Sequence, residues 1–183
     1  SDVERLLTKL KEVAKDLARI VKRLDEENEK LSEKAEREIR KLDRDNERLL
    51  EELEERKRRS DKDKEEVTRR AREEVKRVEE ENKEMTDRLR RESDELRKKN
   101  EEALKRMEER VRRLEEEVER RNGEDRLRKK LKEVLDDLRR VLEELKDHIR
   151  RSLDKNRRSL EELEEHIRRS LTELRRRLEE LAK

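Results

Sequence analysis

Cysteine, proline, tryptophan, tyrosine and phenylalanine are all missing from this chain, and glycine occurs once. Each absence removes a class of function. Without cysteine there is no disulfide, no thiolate metal site and no thiol nucleophile. One glycine cannot build a glycine-rich phosphate loop. Without aromatic rings there is no platform on which bases stack. Long apolar runs are missing too. No stretch approaches the ~18 consecutive apolar residues of a membrane span, and no signal-peptide pattern is present. The expected setting is therefore aqueous and cytosol-like, with no membrane partner.

What is present is charge. Of 183 residues, 62% are charged and 27% hydrophobic. Such a balance usually implies disorder. Two features oppose that here. The polar residues are mostly Glu, Lys and Arg, which favour helix. The apolar residues are also regularly spaced, and a two-in-seven stripe needs about 29% of them. The composition thus fits helices that each bury one narrow seam. The 58 basic and 56 acidic side chains are interleaved, giving a net charge of +2. That is a solvated surface. A nucleic-acid footprint would show one basic face.

The seam has a long period. Asn28, Asn46, Asn82 and Asn100 fall on one lattice of 18 residues, with Lys64 in the remaining slot. Leu17, Ala35, Leu53, Ala71, Leu89 and Met107 form a second column. A third reads Leu31, Leu49, Val67, Met85 and Ala103. Eighteen residues make five turns, or one heptad plus one 11-residue unit. The opposite supercoils of those two repeats cancel, so nearly straight helices are expected.

Two breaks divide the chain. Asn122-Gly123 offers a left-handed helix end, followed by Glu124 and Asp125 at the next helix's positive end. Between Leu53 and Val67 the seam loses its apolar residues, and Ser60 to Asp63 offers capping oxygens. The expected helices run about 2–59, 63–121 and 125–182, each roughly 86–88 Å long at 1.5 Å per residue. Short connections make neighbours antiparallel. The fold class is therefore all-α: a long antiparallel three-helix bundle, one domain over residues 1–183. The structural alternative is one helix of about 120 residues through the Ser60 region, because the lattice keeps its phase there.

Polar residues interrupt the seam at Asn28, Asn46, Asn82, Asn100 and Asn156, while His148 and His166 stand on its shoulder in the last helix. In an antiparallel pair, facing residue numbers have a constant sum. Asn28 with Asn100 and Asn46 with Asn82 both give 128. Asn100 with His148 and Asn82 with His166 both give 248, and Ser93 with Asn156 gives 249. Two layers are thus expected: Asn28, Asn100, His148 and Asn46, Asn82, His166. Ser32, Ser152, Ser159 and Ser170 lie near enough to extend them. A buried Asn lowers stability but fixes register, because slippage strands its amide. A His buried in such a layer predicts lower stability near pH 5.

Chemistry finds little support. His148 and His166 lie about 27 Å apart along one helix, too far to share a metal. No pair of carboxylates stands out from the surface charge. No catalytic residue, cofactor or metal site is expected. No partner is required either. One end carries doubled apolar positions, Leu6/Leu7, Val13/Ala14, Leu17/Ala18, Ile20/Val21, Val134/Leu135 and Val141/Leu142. These read as a broader contact between the first and third helices. The alternative is a patch that pairs two bundles or receives another helix.

The Glu/Arg/Lys surface, the missing aromatics and proline, the 18-residue lattice and the Asn, Ser and His at core levels together resemble de novo designed helical bundles with buried hydrogen-bond networks. The likeness covers the whole chain and is one of style. Spectrin-type repeats share the topology but use aromatics. The break at Ser60 departs from designed practice, having neither Gly nor Pro. The resemblance implies a structural scaffold without catalytic activity. The alternatives are a helix- or self-binding module and a long-helix coiled-coil tether.

Overall fold

A computed structural model describes residues 2–59, 64–121 and 125–183. Three helices account for nearly all of them: α1 (Asp2–Arg59), α2 (Lys64–Arg120) and α3 (Asp125–Ala182). Their lengths are 58, 57 and 58 residues. The charge placement suits them. Asp2 and Glu4 stand in the first turn of α1, and Arg56 to Arg59 in its last. Glu65 and Glu66 open α2, and Arg120 closes it. These charges oppose the partial charges of the helix ends. The proposed turns at Ser60 to Asp63 and at Asn122-Gly123 lie outside the described residues.

The helices pack as a three-helix bundle. α2 runs against α1, because Lys9 pairs with Glu117 near one end of α1 and Lys34 with Glu92 further along. That direction replaces the single 120-residue helix. The lattice continues in phase there because a helix and its antiparallel neighbour can carry the same column. It records which face is apolar, not which way the chain runs.

Two compact units divide the molecule. One joins Ser1–Glu29 with Asp94–Lys155, the other Lys30–Ser93 with Asn156–Lys183. The first buries Leu10, Leu17, Met107, Leu131, Leu138 and Ile149 in one continuous cluster. The second has a cluster around Leu49, Leu53, Ala71, Val75, Leu174 and Leu181. The column from Leu17 to Met107 is buried at all six positions. Burying such side chains is worth about 1.5–3 kcal/mol each for Leu or Val. Of the doubled apolar positions, Leu7, Ala14, Ile20 and Val134 pack partly buried against the first cluster. Among the described residues no large hydrophobic side chain is exposed.

Candidate polar core and its ion-pair rim

The seam positions of α1 and α2 bring Asn28 and Asn100 face to face, both fully buried. Asn28 Nδ2 donates to Asn100 Oδ1 at 3.0 Å, and Asn100 Nδ2 returns the bond to Asn28 Oδ1 at 3.3 Å. Asn100 Nδ2 also donates to the Leu96 carbonyl at 2.5 Å. The amides thus satisfy one another in a place without solvent, which is the condition for tolerating them there.

Asn156 makes a different pairing. Ser32 Oγ donates to Asn156 Oδ1 at 2.5 Å, and both side chains are buried. Sequence sums paired Asn156 with Ser93, which is only half-buried. They missed Ser32 because α1 and α3 run parallel. A constant difference relates those helices, not a constant sum. Ser32 and Asn156 differ by 124, Asp43 and His166 by 123, and Glu54 and Arg177 by 123. That difference was available from the lattice once the topology was assumed.

Asn46 and Asn82 are also buried, at 6% and 7% exposure. Among the described residues their Nδ2 groups have no hydrogen-bond partner, and neither has Asn156 Nδ2. The Asn82 carbonyl accepts from Thr86 Oγ1 at 2.8 Å. Equal numbering sums therefore do not make the two asparagine levels equivalent. Hydrogen bonds depend on side-chain rotation, which spacing does not specify.

The histidines correct the expected layers. His148 is exposed, and its Nε2 lies 3.1 Å from Asp25 Oδ2 on α1. His166, less exposed, meets Asp43 through Nε2. Neither His joins an asparagine layer. The reason is register. Lys146 with Glu108, Arg139 with Glu115, Arg90 with Glu164 and Arg175 with Glu79 all sum to 254. The expected value of 248 is thus more than one helical turn off. A residue next to a seam position also points about 100° away from it, which puts the rings at the rim. The two carboxylates are themselves 18 residues apart, so the lattice repeats whole ion pairs.

Burial alone would raise the Asp25 carboxyl. Hydrogen bonds from His148 and Ser152, with the charges of His148 and Lys155, outweigh that and hold it below its ordinary value. His148 stands on the exposed rim and not among the buried side chains. The acid sensitivity expected of a buried His loses its basis. Lys146 is closely enclosed for a cation, with side-chain exposure of 12%. Its bond to Glu108 raises it above the usual lysine value, against the opposing effect of burial.

Many other exposed ion pairs lie within one helix, such as Arg113 with Glu109, and others cross between helices. Lys99 reaches Glu27 at 2.8 Å, Lys155 reaches Glu29 at 2.8 Å, and Arg177 reaches Glu54 at 2.9 Å. Exposed pairs contribute little each, about 0.2–1 kcal/mol. Among the described residues no group of three or more His, Asp or Glu could hold a metal ion, and no helix is long and apolar enough to cross a membrane.

No protein-family model and no curated protein matches the chain. A solved structure described as a computationally designed three helix bundle is similar over 99% of this chain and 84% of its own, at 20% identity and a TM-score of 0.45.

Proposed function

We propose that the chain is a structural scaffold of the designed type, one bundle over residues 1–183 without catalytic activity, whose register is set by buried polar pairs. The observation that carries this reading is the reciprocal Asn28–Asn100 amide pair, fully buried beside an apolar cluster. Such a pair adds less than two leucines would, yet a slipped register leaves its amides unpaired. The 18-residue lattice supports the designed character, since the same columns recur in α1 and α2.

The test uses multi-angle light scattering and nitroxide distances between α1 and α2. The parent chain should give one species at 22.7 kDa over a wide concentration range and one inter-helix distance. Asn28→Leu/Asn100→Leu should broaden that distance into two or more populations. An unchanged single distance in the double variant would sink the register role. A mass that doubles with concentration would instead support the self-binding module. The observation on that side is the partial burial of Leu7, Ile20 and Val134.

A further inference from the structure

The surface of the first unit carries a groove of about 450 Å³ between α1 and α2. Its floor is apolar: Leu17, Ile20 and Leu24 from α1, Ala103 and Met107 from α2. Ala103 explains why it exists. At the equivalent lattice positions stand Leu31, Leu49, Val67 and Met85, so Ala103 is the shortest side chain in its column. It faces Leu24, and the space a longer residue would fill is left open.

The rim is charged and mostly basic. Lys99 is occupied by Glu27, and Arg110 by Asp16. Arg23 and Arg106, one from each wall, have no ion-pair partner among the described residues. Glu102 lies on the same rim.

The geometry points to a binding site for a slender amphiphile with an anionic head, an alkyl carboxylate of medium length. The chain lies on Leu24, Ala103 and Met107, and the head meets Arg23 and Arg106. Two observations select this occupant. A second copy of the chain has no large exposed hydrophobic side chain, among the described residues, to insert into the groove. The two unpaired guanidinium groups also favour an anion over a neutral or cationic head, because Arg binds carboxylate through charge-assisted hydrogen bonds. Pockets of this size hold small molecules through an apolar lining and a few polar anchors. The site goes beyond the scaffold reading and does not depend on it.

The chain supplies its own reporter. It has two methionines, Met107 in the groove and Met85 in the other unit. With both methyl groups carbon-13 labelled, decanoate is titrated below its micellar range and followed by NMR. The Met107 methyl should shift and saturate while Met85 stays still. Decyltrimethylammonium should bind about tenfold more weakly or not at all, as should decanoate to Arg23→Gln/Arg106→Gln. Both arginines are exposed, so that variant folds as the parent does. Ala103→Leu should abolish the shift by filling the groove. The site is overturned if Met107 does not move at millimolar decanoate. It is equally overturned if Met85 moves with it, if the cation binds as well, or if the arginine variant binds unchanged.

Discussion

In the first unit the buried polar side chains are Asn28 and Asn100, and each amide donates to the other. In the second they are Ser32, Asn46, Thr68, Asn82, Asn156 and Ser159. There the Nδ2 groups of Asn46, Asn82 and Asn156 have no partner among the described residues. The second unit also buries Ala35 and Ala71, where the first places Leu17 and Met107 in the same lattice column. The two halves follow one sequence rule yet differ in what the rule achieves. A paired polar residue specifies a register at modest loss. An unpaired one carries the desolvation penalty without that return. The first unit is therefore the better satisfied of the two.

That contrast can be broken most sharply at Asn28. Asn28→Leu leaves the Asn100 Oδ1 buried and unpaired, and should destabilise by about 1–3 kcal/mol in urea unfolding. Asn28→Leu/Asn100→Leu should recover most of that loss, since both partners then go together. Failure of the double variant to recover would mean that the pair contributes more than mutual satisfaction. In the second unit the sign reverses. Asn46→Leu and Asn82→Leu remove donors that are already unpartnered, and together should raise the urea midpoint by a stabilisation of about 1–2 kcal/mol. A lowered midpoint would show that these amides are satisfied and that the two units do not differ in this respect.

Amide hydrogen exchange sharpens the same comparison without mutation. Core amides near Asn46, Asn82 and Leu174 should exchange roughly tenfold faster than those near Leu10, Val111 and Leu138, because local opening tracks local stability. Uniform protection would show one cooperative unit over the whole chain. The smallest effect belongs to Asp25. Its carboxyl titrates lower when folded than when unfolded, so it stabilises the fold above its ordinary value of 3.8. That contribution is lost as pH falls through the lower folded value. Asp25→Asn should therefore flatten the acid limb of the stability profile by a few tenths of a kcal/mol, as befits a half-exposed pair. Parallel acid limbs for parent and variant would remove His148 and Asp25 from the account.

Much of this was legible in the sequence. Regular spacing of Leu, Val and Ala, with two breaks in it, reads as three long helices, and the described ones span Asp2–Arg59, Lys64–Arg120 and Asp125–Ala182. Periodicity reads which face is buried, and burial decides helix packing. The polar details were less legible because they depend on finer geometry. His148 and His166 are one position from the seam, and that single step moves a ring from core to rim. The α2–α3 register was misjudged because two histidines 18 residues apart match two asparagines 18 apart at any offset. Ser32 with Asn156 required the parallel relation of α1 and α3. The unpaired Asn46 and Asn82 obey the same numerical sum as the paired Asn28 and Asn100, so numbering could not separate them.

The 18-residue lattice makes each helix a graduated ruler. Five turns return a side chain to the same azimuth, so an excised segment of that length leaves every remaining column in phase. Removing residues 29–46, 82–99 and 153–170 would join Asn28 to Glu47, Glu81 to Asn100 and Ser152 to Leu171. Each helix would shorten by roughly 27 Å. The Asn28–Asn100 bond and the His148–Asp25 pair would remain, while the His166–Asp43 pair would disappear together with both of its members. The length of each helix is thus adjustable in discrete steps, with the spacing between like chemical groups as the gauge.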